Sequence, residues 1–183
     1  MNMRIKQIFI LAVLLFAAGC REKKAERFTA LPFPDVQLPS MISGQQEALE
    51  FMAVNYWNGI TDASRSYPSD SLLVSGVRRG DVEQKFADWT SIMEYAGNGI
   101  WSKAVGNLYD RALACERKDT ASQVFETFVD LFQKYYYDPN SPMRNEDVYY
   151  HFVSLYASYE GLTDVEKAKY EREARLCALN RIG

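Results

Sequence analysis

The chain has 183 residues, 48% of them hydrophobic and 14% aromatic, with a formal net charge of -3. That length and apolar content suit one ordinary domain with a sizeable core, and a mildly acidic chain without a basic stripe is a poor nucleic-acid ligand. A single histidine and three cysteines without Cys-x-x-Cys exclude a His-rich metal site, a zinc knuckle and a dithiol redox motif.

Arg4 and Lys6 form a positive start, Ile8 to Phe16 an almost unbroken apolar run, and Ala17-Ala18-Gly19-Cys20 closes it. The run is shorter than the roughly 20 residues that span a bilayer and has the length of a signal-peptide core. Small residues before a thiol resemble the lipobox of bacterial lipoproteins, in which the cysteine takes a diacylglycerol thioether before cleavage. Ala17 stands where leucine is commonest. Residues 1–19 are thus expected to be a lipoprotein signal peptide and Cys20 the lipidated residue. The alternative is an ordinary secretory cut near Ala18 that leaves Cys20 a free thiol. Cleavage leaves about 164 residues and, without Arg4 and Lys6, a net charge of about -5. Two or three acyl chains anchor stably where one holds marginally. The expected location is the cell envelope, most simply the outer membrane facing the periplasm, with surface exposure as the other topology.

Residues 20–42 are expected to be a tether and strap. Arg21-Glu22-Lys23-Lys24 is a solvated start, after which Pro32, Pro34 and Pro39 bar helix. Phe28, Leu31, Phe33, Val36, Leu38 and Ile42 make this stretch too apolar for a free linker, so it should pack along the domain.

Residues 43–183 are predicted to be helical. Ser43, with Gln46 three residues on, is the expected first N-cap, leading to Leu49, Met52, Ala53, Tyr56 and Trp57 at helical spacing and a stop at Gly59. Thr61 to Gly80 is irregular. Asp81 should cap a helix bearing Val82, Phe86, Trp89, Met93 and Ala96, stopped by Gly97-Asn98-Gly99. Ile100 to Arg117 forms the next, with Trp101, Ala104, Leu108 and Cys115 inward. Val124 to Tyr136 forms another, ending at Asp138-Pro139. Asn140-Ser141-Pro142 is turn chemistry, Asn145 a good N-cap, and the helix behind it carries Val148, Phe152, Leu155, Tyr156 and Tyr159. Thr163-x-x-Glu166 opens the last helix, with Ala174, Cys177 and Leu179. About six helices with short loops make an all-α fold, an antiparallel bundle or stacked helical hairpins.

The residues assemble no catalytic or metal-binding constellation and call for no cofactor. His151 is best read as a packed or surface side chain between aromatics. Cys115 and Cys177 fall where helices place small apolar residues and read as buried thiols, with a single disulfide as the competitor in an exported chain. Tyr135-Tyr136-Tyr137 and Tyr149-Tyr150 put rings on more than one helix face. Core and rim packing explains most of them, and a partner surface or sugar platform the rest.

The segment from Lys134 to Glu146, KYYYDPNSPMRNE, resembles a helical domain of unknown function in lipoproteins of the Bacteroides group, usually placed directly before a thioredoxin-like domain. Tyr137 to Glu146 carry the specific motif. Asn55-Tyr56-Trp57 and Leu179-Asn180-Arg181-Ile182-Gly183 are weaker matches. The resemblance implies a membrane-anchored, non-catalytic spacer or docking module for thiol–disulfide exchange, the thioredoxin-like partner lying on another chain or beyond Gly183. On that expectation the chain is either a stand-alone version or a truncated one. Tyr137, Arg144, Asn145 and Tyr150 are the candidate interaction residues, with Pro139 and Pro142 fixing the turn. The competing function is a ligand-binding lipoprotein whose surface tyrosines contact glycan or peptide.

Overall fold

The computed structural model describes residues 29–68 and 70–180. The signal peptide, Cys20, Phe28 and the last three residues of the C-terminal match lie outside them. In chain order the elements are α1 (Gln45–Asn55), a hairpin of β1 (Leu73–Val74) and β2 (Val77–Arg78), α2 (Arg79–Ala96), α3 (Asn98–Lys118), α4 (Val124–Phe132), a π-helical turn (Gln133–Tyr137), α5 (Glu146–Tyr156) and α6 (Asp164–Asn180). The all-α expectation holds. Helix α3 lies centrally and packs on α1, α2, α4 and α5, while α6 packs on α5.

Aromatic rings dominate the core. Trp57, Phe86, Trp89, Phe128 and Phe132 are each at most 2% exposed. Phe132 and Phe152 stack with centroids 4.2 Å apart, which joins α4 to α5. Trp89 donates its indole N–H to the Ala53 carbonyl at 2.8 Å, so the ring is buried without orphaning its donor.

The strap packs as expected at Phe33 and Val36, whereas Leu31 and Leu38 remain 42% and 48% exposed. Phe33 meets Tyr56 and Trp57 at 5.5 Å each. Leu31 adds a backbone bond to the hairpin, its N–H donating to the Gly76 carbonyl at 2.8 Å. Gly59 lets Pro34 approach: a Cβ there would sit 2.5 Å from the Pro34 Cγ.

Three local readings are corrected. Ser43 does not cap α1; Gly44 holds that position without a side-chain bond, and the Gln46 amide donates instead to the Ala96 carbonyl at 2.8 Å. A carbonyl left over at the end of α2 outcompetes the local box. Asp81 does not cap α2 either. The helix begins at Arg79, whose N–H is satisfied by the Leu72 carbonyl at 2.9 Å, and Asp81 pairs with Arg78 from the first turn. Finally, the irregular stretch holds the hairpin, turned by Ser75 and Gly76 at φ 48° and 76°. This pair of left-handed residues is what a two-residue hairpin loop needs, and the Ser75 hydroxyl donates to the Ile60 carbonyl at 2.6 Å.

The first helix ends at Asn55, short of the expected stop at Gly59, and α5 ends at Tyr156, short of Tyr159, whereas three other local signals hold. Gly97 at φ 82° separates α2 from α3. The Asn145 side chain accepts from the Asp147 and Val148 N–H groups. Thr163 and Glu166 form the reciprocal box. Leu155 and Leu179, expected inward, are 37% and 67% exposed. Cys115 and Cys177 are both buried free thiols, not a disulfide.

Candidate functional site

The 137–146 motif builds a turn that is bonded from inside. After the π-helical turn the Asp138 N–H donates to the Gln133 carbonyl at 2.9 Å, five residues back. Such π turns are rare and favour functional positions. Asp138 Oδ1 accepts from the Asn140 N–H at 2.8 Å, and the Asn145 N–H donates to the Tyr136 carbonyl at 3.0 Å. The turn therefore closes back on the helix it leaves.

Two of the four candidate residues gather here with a third that serves the scaffold. Arg144 donates to Glu146, whose other oxygen accepts from the Asn180 amide near the end of α6. The Asn180 bond first, then Arg144, holds the Glu146 carboxyl below the usual carboxylate range. Tyr137 stacks on Tyr149 at 4.4 Å, and burial pushes its hydroxyl pKa up. Asn145 is occupied as the cap of α5. Tyr150 is not part of this cluster. It borders a separate groove between α5 and α6 with Ser154, Glu171 and Arg175, its ring edge-on to His151 at 5.8 Å.

Beneath Tyr137, Tyr149 donates to the Glu173 carboxylate at 2.8 Å, a buried polar contact on α6. Glu173 is 8% exposed, and no sequence signal separates it from the other charged residues of that helix. Burial first, then nearby Glu146 and Glu173, pushes the Cys177 thiol up to about 11. Burial likewise raises Cys115. Both are therefore protonated near neutrality and poor nucleophiles there.

On the α2 side of the turn lies a cleft of about 320 Å³, bounded by Glu94, Trp101, Tyr136, Met143, Arg144 and Val148 among others. Trp101 donates its indole N–H to the Met93 carbonyl at 2.8 Å, which fixes the ring and uses its only donor. Tyr136 is 3% exposed, its ring 5.9 Å from Phe86 and 5.7 Å from Phe132, and its hydroxyl has no hydrogen-bond partner. An unmet buried hydroxyl costs about 1–3 kcal/mol. In the sequence Trp101 and Tyr136 fall on apolar helical stripes, and nothing local marks Glu94. Only the tyrosine run hinted that these rings serve more than one face.

Among the described residues no three His, Cys, Asp or Glu side chains are placed to hold a metal ion. Among them, too, no helix is long and apolar enough to cross a membrane.

Comparison with solved structures finds the same fold in a thioredoxin-like protein from Bacteroides caccae ATCC 43185, with a TM-score of 0.65 and 24% identity. The match covers 82% of this chain and 49% of that one, so this chain spans about half the length of its structural relative. No curated protein matches the chain. The sequence model of a domain of unknown function, DUF5106, matches residues 19–180, and the chain belongs to that family.

Proposed function

We propose that this chain is the non-catalytic helical module of an envelope lipoprotein, anchored through Cys20, that spaces or docks a thioredoxin-like thiol–disulfide exchange domain near the membrane. The observation that carries the reading is the likeness to 49% of a protein described as thioredoxin-like. A thioredoxin-like fold is built on a β-sheet, which the six helices and two-stranded hairpin of the described residues do not supply. The redox work is assigned to the unmatched remainder of such a protein or to a separate partner. The buried, protonated state of Cys115 and Cys177 supports leaving thiol exchange to that partner. Tyr137, Arg144 and Tyr150 are the contacts offered to it. The small residues before Cys20 support acylation there, and the location proposed with it is the outer membrane facing the periplasm, with surface exposure as the other topology.

Two measurements test the two halves of this reading. Expression of the full chain and of Cys20→Ser in a Gram-negative host should place only the former in membranes, with an added diacylglycerol mass on its N-terminal peptide. Equal partition without added mass rejects the anchor. Calorimetric titration with the isolated thioredoxin-like domain of the structural relative should show saturable binding, weakened by Arg144→Ala. No binding rejects the docking role.

A second reading, a ligand-binding lipoprotein, has in its favour the cleft beside Trp101 and Tyr136.

A further inference from the structure

We propose that the outward face of α6 lies on the anionic headgroups of a phospholipid bilayer and orients the domain there. The inference goes beyond the anchor proposed at Cys20 and rests on it only for bringing the domain to a membrane.

The face follows from the helix period. At 3.6 residues per turn, Val165, Lys169, Arg172, Arg175, Leu176 and Leu179 fall within about a third of the circumference of α6. All are exposed, with Val165, Leu176 and Leu179 at 81%, 46% and 67%. The other side of the helix buries Tyr170, Glu173 and Cys177, and α6 packs chiefly on α5. It is an edge helix whose outward stripe no other described element covers.

Charge decides what covers it. The stripe holds Lys169, Arg172 and Arg175 and no acid, although the chain as a whole has a net charge of -3. The carboxylates of α6 lie off it: Asp164, Glu166 and Glu171 fall to either side, and Glu173 is buried against Tyr149. Arg172 and Arg175 form no hydrogen bond or ion pair among the described residues. Lys169 stands 4.0 Å from Glu173 with its own side chain 55% exposed. The surface therefore complements an anion, and its leucines and valine complement something apolar just beneath that anion.

A bilayer surface has that layering. Leucine tips enter the boundary between headgroups and acyl chains, while lysine and arginine stems lie along the apolar layer and carry their charges up to the phosphates. Guanidinium groups match phosphate with paired hydrogen bonds. A folded partner would need carboxylates at fixed positions opposite both free arginines. A fluid headgroup layer supplies an anion wherever each arginine falls, and it conforms to the convex side of a single helix.

Each basic side chain near an anionic surface raises partition about fivefold, so three raise it on the order of a hundredfold. That is too little to hold a free protein on a membrane and enough to orient a tethered one. Residues 20–28 reach at most roughly 30 Å when fully extended, so an anchored domain meets the surface at high effective concentration. The contact sets orientation, and the acyl chains set attachment. Because Asn180 of α6 is bonded to Glu146, the 137–146 turn is oriented together with the helix.

An environment-sensitive fluorophore on Ala168→Cys, an exposed position beside the stripe, tests this in the membrane-extracted, acylated full chain. Labelling is selective, because Cys115 and Cys177 are buried with raised thiol pKa values and Cys20 is blocked by its thioether. In vesicles of phosphatidylcholine mixed with phosphatidylglycerol, the label should be shielded from the neutral quencher acrylamide. In phosphatidylcholine alone it should be quenched freely. About 1 M salt, where the Debye length is about 3 Å, should remove most of the shielding. Arg172→Glu combined with Arg175→Glu should do the same, with an unchanged circular dichroism spectrum showing that the domain is folded. A label on Tyr95→Cys, 73% exposed on α2, should be quenched equally in both vesicles. The proposal is overturned by equal quenching of the Ala168→Cys label in the two vesicle types, or by shielding that survives the charge reversal. Shielding that appears in phosphatidylcholine only on adding a thioredoxin-like domain also overturns it, since that makes the face a protein dock. If the extracted chain carries no diacylglycerol mass, the same label in the Cys20→Ser chain mixed with the same vesicles reads α6 alone. Failure of the anchor and failure of this contact are therefore separate results.

Discussion

Replacing Tyr136 with phenylalanine should make the protein more stable. The ring lies between Phe86 and Phe132 at centroid distances of 5.9 and 5.7 Å, and phenylalanine keeps those contacts. What disappears is a hydroxyl that is buried without a partner in the fold and fully hydrated when the chain unfolds. Its penalty is about 1–3 kcal/mol. Some is offset by the space the oxygen leaves, so the expected net gain is about 1–2 kcal/mol. For a domain of this size each kcal/mol moves Tm by about 2–4 °C, giving a rise of roughly 2–8 °C. Burial pushes the Tyr136 pKa upward, so the group is neutral at pH 7 and no change in charge complicates the comparison. Circular dichroism melts at pH 7 measure the shift, and urea unfolding should move the midpoint without changing the slope. A lower Tm in Tyr136→Phe would refute the reasoning. It would mean that the hydroxyl has a partner in the folded protein, such as an ordered water.

Asn145→Ala should cost about 1 kcal/mol, because the Asp147 and Val148 N–H groups lose their shared acceptor; an unchanged melting temperature would demote the cap. Gly59→Ala places a Cβ 2.5 Å from the Pro34 Cγ, so the strap must shift at a cost of about 1–3 kcal/mol. Faster amide exchange at Leu31, whose N–H is bonded to Gly76, would report that shift. Alkali should unfold the domain cooperatively. Burial raises Tyr56 and Tyr109 from 10.0 to about 12 and Cys177 from 9.0 to about 11. The folded protein thus retains protons that the unfolded chain releases. Their stabilisation is complete below about pH 9 and is lost as pH rises through 11 to 12. Tyrosinate absorbance from the buried rings should therefore appear together with loss of helical signal. Complete tyrosine ionisation near pH 10 with native helicity would contradict it.

The features legible in the sequence are those whose physics is confined to a few neighbouring residues. Gly97 as a break, Asn145 as a cap and Thr163 with Glu166 as a box depend on backbone groups within one turn, and all three stand. The apolar spacing of Phe86, Trp89 and Met93 on α2, and of Phe125, Phe128 and Phe132 on α4, likewise announced buried faces. Where a distant group competed, local reasoning failed. Gln46 left its own helix start for the Ala96 carbonyl, 50 residues away, and the Leu72 carbonyl made a cap at Asp81 unnecessary. Short strands set by Ser75 and Gly76 escaped because two residues per strand show no alternation to read.

The candidate residues divide along the same line. The motif from Tyr137 to Glu146 was visible as a motif, and its turn chemistry followed from Pro139, Pro142 and Asn145. That Arg144 would reach Glu146, and Glu146 in turn Asn180, depended on where α6 ends against α5. The sequence by itself determined an all-α domain with an aromatic core, because periodicity and caps are properties of the chain. Only the tertiary structure brought Glu94, Trp101, Tyr136 and Arg144 around one cleft. Their meeting is decided by helix packing across tens of residues, and no local spacing encodes it.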